Sequence, residues 1–597
     1  MRPTRACSGP AMRAAEPPRK SLACALLFLA GTLQAAQFTI DGPAGSGEFG
    51  SRVVTLPNGN IVVTDPGFDA PGPIVDVGAV YLYRPDGTLI STLRGSSAND
   101  WVGSGGVVVL TNGSYVVISA FWDNGAASNA GAVTFGSGTS GISGVVSLAN
   151  SLVGSTASNF VGFPGVTALA NGNYVVNSPS WDNGAIADAG AVTFGSGSGG
   201  ISGVVSPANS LVGSTAGDFV GSPGATALAN GNYVVSSSQW DNGKAVDAGA
   251  VTFSSGASGT SGVVSPANSL VGSTASNFVG SSRVTALANG NYVVRSPGWD
   301  NGAIADAGAV TFGSGTGGIS GVVSPANSLV GSTAFDNVGR EGVTALANGD
   351  YVVISASWNR GAAVGAGAVT FGSGTGGISG VVSPANSLVG SMAGDVVGSE
   401  GVTALANGSY VVRSPNWDNG AVADAGAVTL GLFNGSVVGA ITSAQSVLGA
   451  MELRGSSQTF SYDPLRNQLA VGQPASNRVV LHRPGAATAI SIVGDTPDPS
   501  VVGQPVTFTA TVSATPNAPT NGQVTFTASS GESCVDTSPT PITATMAEFS
   551  CAIGFTTAGS STVIAEYTGS IDHAYSGSDP ETHTTGAVVF ADGFESP

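Results

Sequence analysis

The chain is short of charge. Asp, Glu, Lys and Arg make up 9% of its 597 residues. Surface helices need Lys and Glu on their outer face, and no stretch beyond the N-terminus shows helical apolar spacing, so a helical architecture is excluded. Histidine occurs three times, at His482, His573 and His583, and Lys244 is the one lysine after residue 36. Without His, Lys or Cys beside a nucleophile, Ser-rich loops cannot form an activated triad. No carboxylate pair stands out from a background of recurring Asp turns, which argues against glycoside chemistry. The expectation is a protein that is not an enzyme. After the N-terminal segment no apolar run reaches the ~20 residues of a spanning helix, so no membrane-spanning segment is expected.

Glycine is abundant, at 90 residues, and hydrophobic residues reach 42%. That is too apolar for disorder. Short Val-rich runs punctuated by Asn-Gly and Gly-Ser read as all-β. Residues 1–36 read as a signal peptide: Arg13, Arg19 and Lys20 precede the apolar run SLACALLFLAGTLQAA. The remaining chain holds 13 basic and 35 acidic residues, a net charge of −22. Such a surface repels nucleic acid and anionic membranes. Export to the cell surface or medium follows, and there Cys534 and Cys551, the two cysteines left after cleavage, are expected to form a disulfide.

Asn-Gly falls at Asn58, Asn112, Asn171, Asn230, Asn289, Asn348 and Asn407; the first step is 54 residues and the next five are 59 each. Each unit reads VTALANGNYVV, WDNG, DAGAVTF, then GISGVVSPANSLVGS. In the third unit VTALA (166–170) and NYVV (173–176) flank the turn, GAVTF (190–194) is a third strand, and Gly203 to Gly213 supplies a fourth. Four antiparallel strands in roughly sixty residues make a propeller blade. An eighth, worn unit follows in RNQLAVGQP (466–474) and NRVVLHRP (477–484). The orphan strand QFTIDG (37–42) is expected to complete that last blade and close an eight-bladed β-propeller over 37–484, with seven blades as the alternative.

The pieces EFG (48–50), NGNIVVTDP (58–66), GAVYLYRPDG (78–87) and LRG (93–95) resemble the FG-GAP repeat of integrin-α-type propellers. The central copies are similar to a bacterial secreted repeat family of unknown function. FG-GAP blades often carry an Asp-x-Asp-x-Asp-Gly calcium loop. None occurs here, so the resemblance does not imply calcium. After Pro484 the pattern changes to alternation of Val506, Phe508, Ala510 and Val512 with Thr. PSVVGQPVTFTATV (499–512), GQVTF (522–526) and SCAIGFTTAGSSTVIAEYTG (550–569) resemble a bacterial Ig-like repeat domain, which implies a β-sandwich over 487–586. Residues 587–597 form a tail. His573 and His583 are expected on the surface.

The connections between the second and third strands, and between the fourth and the next first strand, share one end of the blades. They place Trp122, Trp181, Trp240, Trp299, Trp358 and Trp417 on that end. Two readings stay open. The indoles form a multivalent ligand face that stacks on sugars, or each packs against the adjacent blade while Asp-Asn-Gly forms a turn. Asp182, Asn183 and Asp188 offer oxygen ligands, so calcium is a further possibility; no other cofactor is expected. The leading functional expectation is an adhesion module for polysaccharide or a cell-surface protein, with the Ig-like domain as spacer. The alternatives are a purely structural surface protein and a polysaccharide-acting propeller enzyme. Departures from the repeat at FDAPGPIVD (68–76), FDNVGRE (335–341) and His482 are where an enzyme site would sit.

Overall fold

A computed structural model describes residues 38–72, 74–452, 455–486, 488–569 and 573–587. Residues 1–36, read above as a signal peptide, and tail residues 588–597 lie outside the described residues. Apart from two 3-10 turns, the regular elements among the described residues are β-strands. No helix among the described residues is long and apolar enough to cross a membrane.

The third unit shows how the sequence builds a sheet. Gly165–Ala168, Tyr174–Ser178, Ala191–Gly195 and Ser210–Val212 pair antiparallel in chain order. The second strand is buried at all five positions, because each sheet is covered on both faces by its neighbours. Leu169, Val175, Val192, Leu211 and Val220 of this unit share one core with Tyr233, Val235, Trp240, Ala250, Val264 and Val271 of the next. A lone sheet would leave both faces wet, which is why the unit is repeated. Gly195 stands opposite Tyr174; a Cβ there would lie 2.2 Å from the phenol ring carbon, so the pair is complementary in size.

The expected fourth strand proved to be two strands. Ser206 and Asn209 turn the chain in its middle: Asn209 Oδ1 accepts the Ser206 N–H, and its Nδ2 donates to Val204 O. Gly203–Val204 then pairs in parallel with Ser151–Val153 of the preceding unit, and only Ser210–Val212 stays at home. Six sheets are therefore five-stranded, each with an outer strand lent by the following unit. The seventh unit lends Gly439–Ala440 to the sixth and keeps four strands in its own sheet, which receives no lent strand among the described residues. The eighth is a three-stranded sheet, Thr459–Asp463, Gln468–Gln473 and Arg478–His482.

The strand expected over 37–42 is a correction: described residues 38–42 belong to no strand. Phe38 is 63% exposed, so its apolar pattern buries nothing that would hold it in a sheet.

The segment after Pro484 forms two further sheets around one core containing Val506, Phe508, Phe526, Phe549 and Tyr567. Cys534 and Cys551 form the expected disulfide and join the two sheets. Arg466 of the eighth unit connects to this segment, donating to Glu566 at 2.9 Å and lying 5.3 Å over the Tyr575 ring.

Candidate functional site

The WDNG loops were open to two readings, ligand face or packing against the adjacent blade. The structure buries their indoles: Trp122, Trp181, Trp240, Trp299, Trp358 and Trp417 are 3–5% exposed, each inside a core shared by two consecutive sheets. None presents a ring face to solvent.

The polar side chains of the loop are engaged with backbone. In the fourth unit Asp241 Oδ1 accepts the Asp247 N–H at 2.8 Å, and Asn242 Nδ2 donates to Gly272 O at 2.8 Å. Asn242 and Ala245 exchange both backbone bonds. In the third unit Asp182 Oδ1 accepts the Asp188 N–H, and Asn183 Nδ2 donates to Gly213 O. That spends two of the side chains considered for calcium on holding the turn. In the variant WNRG loop, Asn359 Oδ1 accepts Gly365 N–H in place of the Asp, and Arg360 donates to Gly390 O in place of the Asn. Residue type changes while the bond is kept.

A second series, which sequence reading passed over, sits beneath these loops: Asp100, Asn159, Asp218, Asn277, Asp336 and Asp395, all fully buried. Asp218 Oδ2 accepts the Ser214 and Thr215 N–H groups at 2.7 and 2.8 Å, and Oδ1 accepts Asp241 N–H at 3.0 Å. One carboxylate thus pins its own linker to the next unit's loop. Burial pushes the Asp100 and Asp218 carboxyls up, against the lowering effect of these bonds. Where the residue is Asn, as at 159, Oδ1 takes the Ser155 and Thr156 N–H groups and Nδ2 has no partner among the described residues.

The residue after each of these is the candidate site. Trp101, Phe160, Phe219, Phe278, Asn337 and Val396 all have left-handed backbone, with φ from 37° to 46°. Bulky side chains rarely adopt it, and such strain persists only where the surroundings impose it. Here the N–H of Phe219 is held by Asp188 O at 3.0 Å, and that of Trp101 by Asp76 O at 3.1 Å. The twist turns the aromatic residue outward while the preceding Asp or Asn side chain points in. Trp101 and Phe121 are each 37% exposed, and Phe160 is half-buried. Trp101 meets Phe121 edge to face at 5.5 Å, and Phe121 meets Phe160 at 6.0 Å. Phe163, 59% exposed, lies three residues beyond Phe160. The result is an aromatic strip on the loop end of the first three sheets. Rings arranged so can cover the apolar face of a sugar or seat apolar side chains. The signal in the sequence was an aromatic residue behind Asp or Asn at 101, 160, 219 and 278, 59 positions apart, which gives way to Asn337 and Val396 in the last two copies.

The other expected places are less open. Glu341 of FDNVGRE accepts the Ala356 N–H and the Ser357 hydroxyl. His482 lines a groove of about 440 Å³ with Arg483, Thr488 and Tyr575, and burial pushes its imidazole down. His573 and His583, expected on the surface, are buried, because each ring nitrogen in contact finds a fixed partner: His573 Nε2 meets Asn517 O at 3.0 Å and His583 Nε2 meets Ser500 Oγ at 2.9 Å.

Fold and loops together define a tandem-repeat, all-β protein whose units are coupled through shared cores. The chain belongs to the family described as Repeat of unknown function (DUF5650), which it matches in six consecutive copies, residues 109–163, 168–222, 227–281, 286–340, 345–399 and 404–454. No curated protein matches the chain.

Proposed function

We propose that this is an exported, non-enzymatic binding module whose ligand face is the aromatic strip Trp101–Phe121–Phe160, with polysaccharide or a cell-surface protein as partner. The observation that carries the reading is that left-handed backbone at Trp101 and Phe160 goes with partly exposed rings at the surface, in edge contact through Phe121. Successive sheets sharing cores support the reading of units 1–8 as blades of a propeller, and the FG-GAP resemblance supports the same. The C-terminal pair of sheets is then an Ig-like spacer, and residues 1–36 the signal that exports the chain. An exported, acidic, lysine-poor surface suits extracellular solubility.

The test is a glycan and extracellular-matrix array probed with the full chain and with Trp101→Ala and Phe121→Ala. Saturable binding lost in both variants, with unchanged melting temperature, is the expected result. Binding equal in all three chains would remove the strip from the proposal, and absence of any saturable ligand would favour a structural surface protein.

A further inference from the structure

In the C-terminal pair of sheets three ligating side chains converge away from the aromatic strip. His583, on the last strand Glu581–Gly586, is fully buried. Its Nδ1 lies 2.7 Å from Asp495 Oδ2 and 3.3 Å from Asp498 Oδ1. The three ligand atoms all lie within 4.8 Å of one another. Asp495 ends the strand Thr488–Thr496 and Asp498 sits in the turn that follows, so the cluster ties the first edge of this segment to its last strand.

We infer that Asp495, Asp498 and His583 form a binding site for a divalent transition-metal cation, with Zn²⁺ the best match. The donor set is one imidazole and two carboxylates, which suits first-row divalent ions with bonds of about 2.0–2.2 Å. Its charge is balanced: two carboxylates and a neutral imidazole offset one dication. Residues 488–586 themselves contain no Lys or Arg to supply that charge. Asp498 Oδ1 also accepts the Thr584 N–H at 3.2 Å, which fixes this carboxylate beside the ring, and a cation there engages both carboxylates. The second ring nitrogen is already oriented as a metal-binding imidazole requires, with Nε2 at 2.9 Å from Ser500 Oγ. The ring is clamped by Phe555, stacked at 4.9 Å, and by the edge of Phe508 at 5.8 Å. Two positions on, on the same strand face, Thr585 Oγ1 is buried and has no hydrogen-bond partner among the described residues. The Asp498 side chain is 39% exposed, which leaves an entry path and room for water as the remaining ligands. The linear order Ser500, His583, Asp495 has the contacts of a nucleophile relay, but Ser500 is 2% exposed and admits no substrate.

The test uses the full chain after chelator treatment, titrated with Co²⁺ followed by visible absorption and with Zn²⁺ followed by calorimetry, in excess Mg²⁺ to occupy weak acidic sites. The expected result is one ion per chain, a Co²⁺ spectrum distinct from the hexaaqua ion that Zn²⁺ abolishes, and affinity at least about 10-fold weaker in Asp498→Asn. Asp498 is on the surface, so that variant keeps the fold; His583→Gln adds a second check by melting temperature, where Zn²⁺ should raise the parent and leave the variant unmoved. An aqua-ion spectrum only, or binding indifferent to Asp498→Asn, overturns the site and leaves the cluster as a hydrogen-bonded lock.

Discussion

Replacing Trp240 tests whether the recurrent tryptophans hold the sheets together. Trp240 is 3% exposed and lies in the core shared by the third and fourth units. An indole buries on the order of 150–250 Å², which at about 25 cal/mol per Å² amounts to about 4–6 kcal/mol. Large-to-small series put such truncations at about 3–5 kcal/mol. One term works the other way. The Trp240 Nε1–H has no hydrogen-bond partner among the described residues, and an unpaired buried donor costs about 1–3 kcal/mol. Trp240→Ala removes both, for an expected net loss of about 3 kcal/mol. Trp240→Phe keeps most of the apolar area and deletes the orphan donor, so it should cost under about 1.5 kcal/mol. The assay is urea denaturation of the full chain by circular dichroism, with hydrogen exchange of the strand Tyr233–Ser237 as the local readout, since repeat arrays can unfold in parts. Acrylamide quenching gives an independent check: Trp101 is 37% exposed and the other six tryptophans 5% or less, so Trp101→Phe should remove the accessible fraction. A Trp240→Ala chain that loses less than about 1 kcal/mol, or strong quenching that survives Trp101→Phe, would refute the packing role.

Three other outcomes are expected. Asn230→Ala should lose about 1–2 kcal/mol in the same denaturation assay, because Asn230 Nδ2 donates to Gly315 O of the next unit at 2.6 Å and its Oδ1 accepts Asn232 N–H. Asp218 has its carboxyl pushed up by burial, so its contribution to stability is full below the ordinary carboxylate range and is lost as pH rises through the raised folded value. The melting temperature of the parent relative to Asp218→Asn should therefore increase from about pH 7 toward about pH 4, and a gap that shrinks on acidification would contradict the sign. Cys534→Ser with Cys551→Ser should lower stability by about 3 kcal/mol, from the 17-residue separation that the bridge closes, measured by unfolding of the C-terminal segment with and without reductant.

Much of the fold was readable because it is local. Asn-Gly between Val-rich runs specifies a hairpin, and Tyr174–Ser178 appears where NYVV placed it. The even cysteine pair specified a bridge. The single strand read across 203–213 failed because Asn209 spends its side chain on turning the chain, a choice that alternation of apolar residues does not report. His583 was misplaced for a related reason. A lone histidine reads as polar, and only the approach of Asp495 and Ser500 from distant positions makes a buried imidazole tolerable.

By itself, then, the sequence determined the β class, the repeat, its 59-residue period and the hairpin turns, since each depends on neighbours a few residues apart. The tertiary structure decided which aromatic residues are inside. Trp181 and Phe160 both recur at fixed spacing on the same loop end, yet one is in a shared core and the other is turned outward. The difference lies in a left-handed backbone at Phe160, held by a bond from its N–H to Asn129 O, thirty-one residues earlier. No local pattern encodes that bond, because it exists only once the sheets are packed.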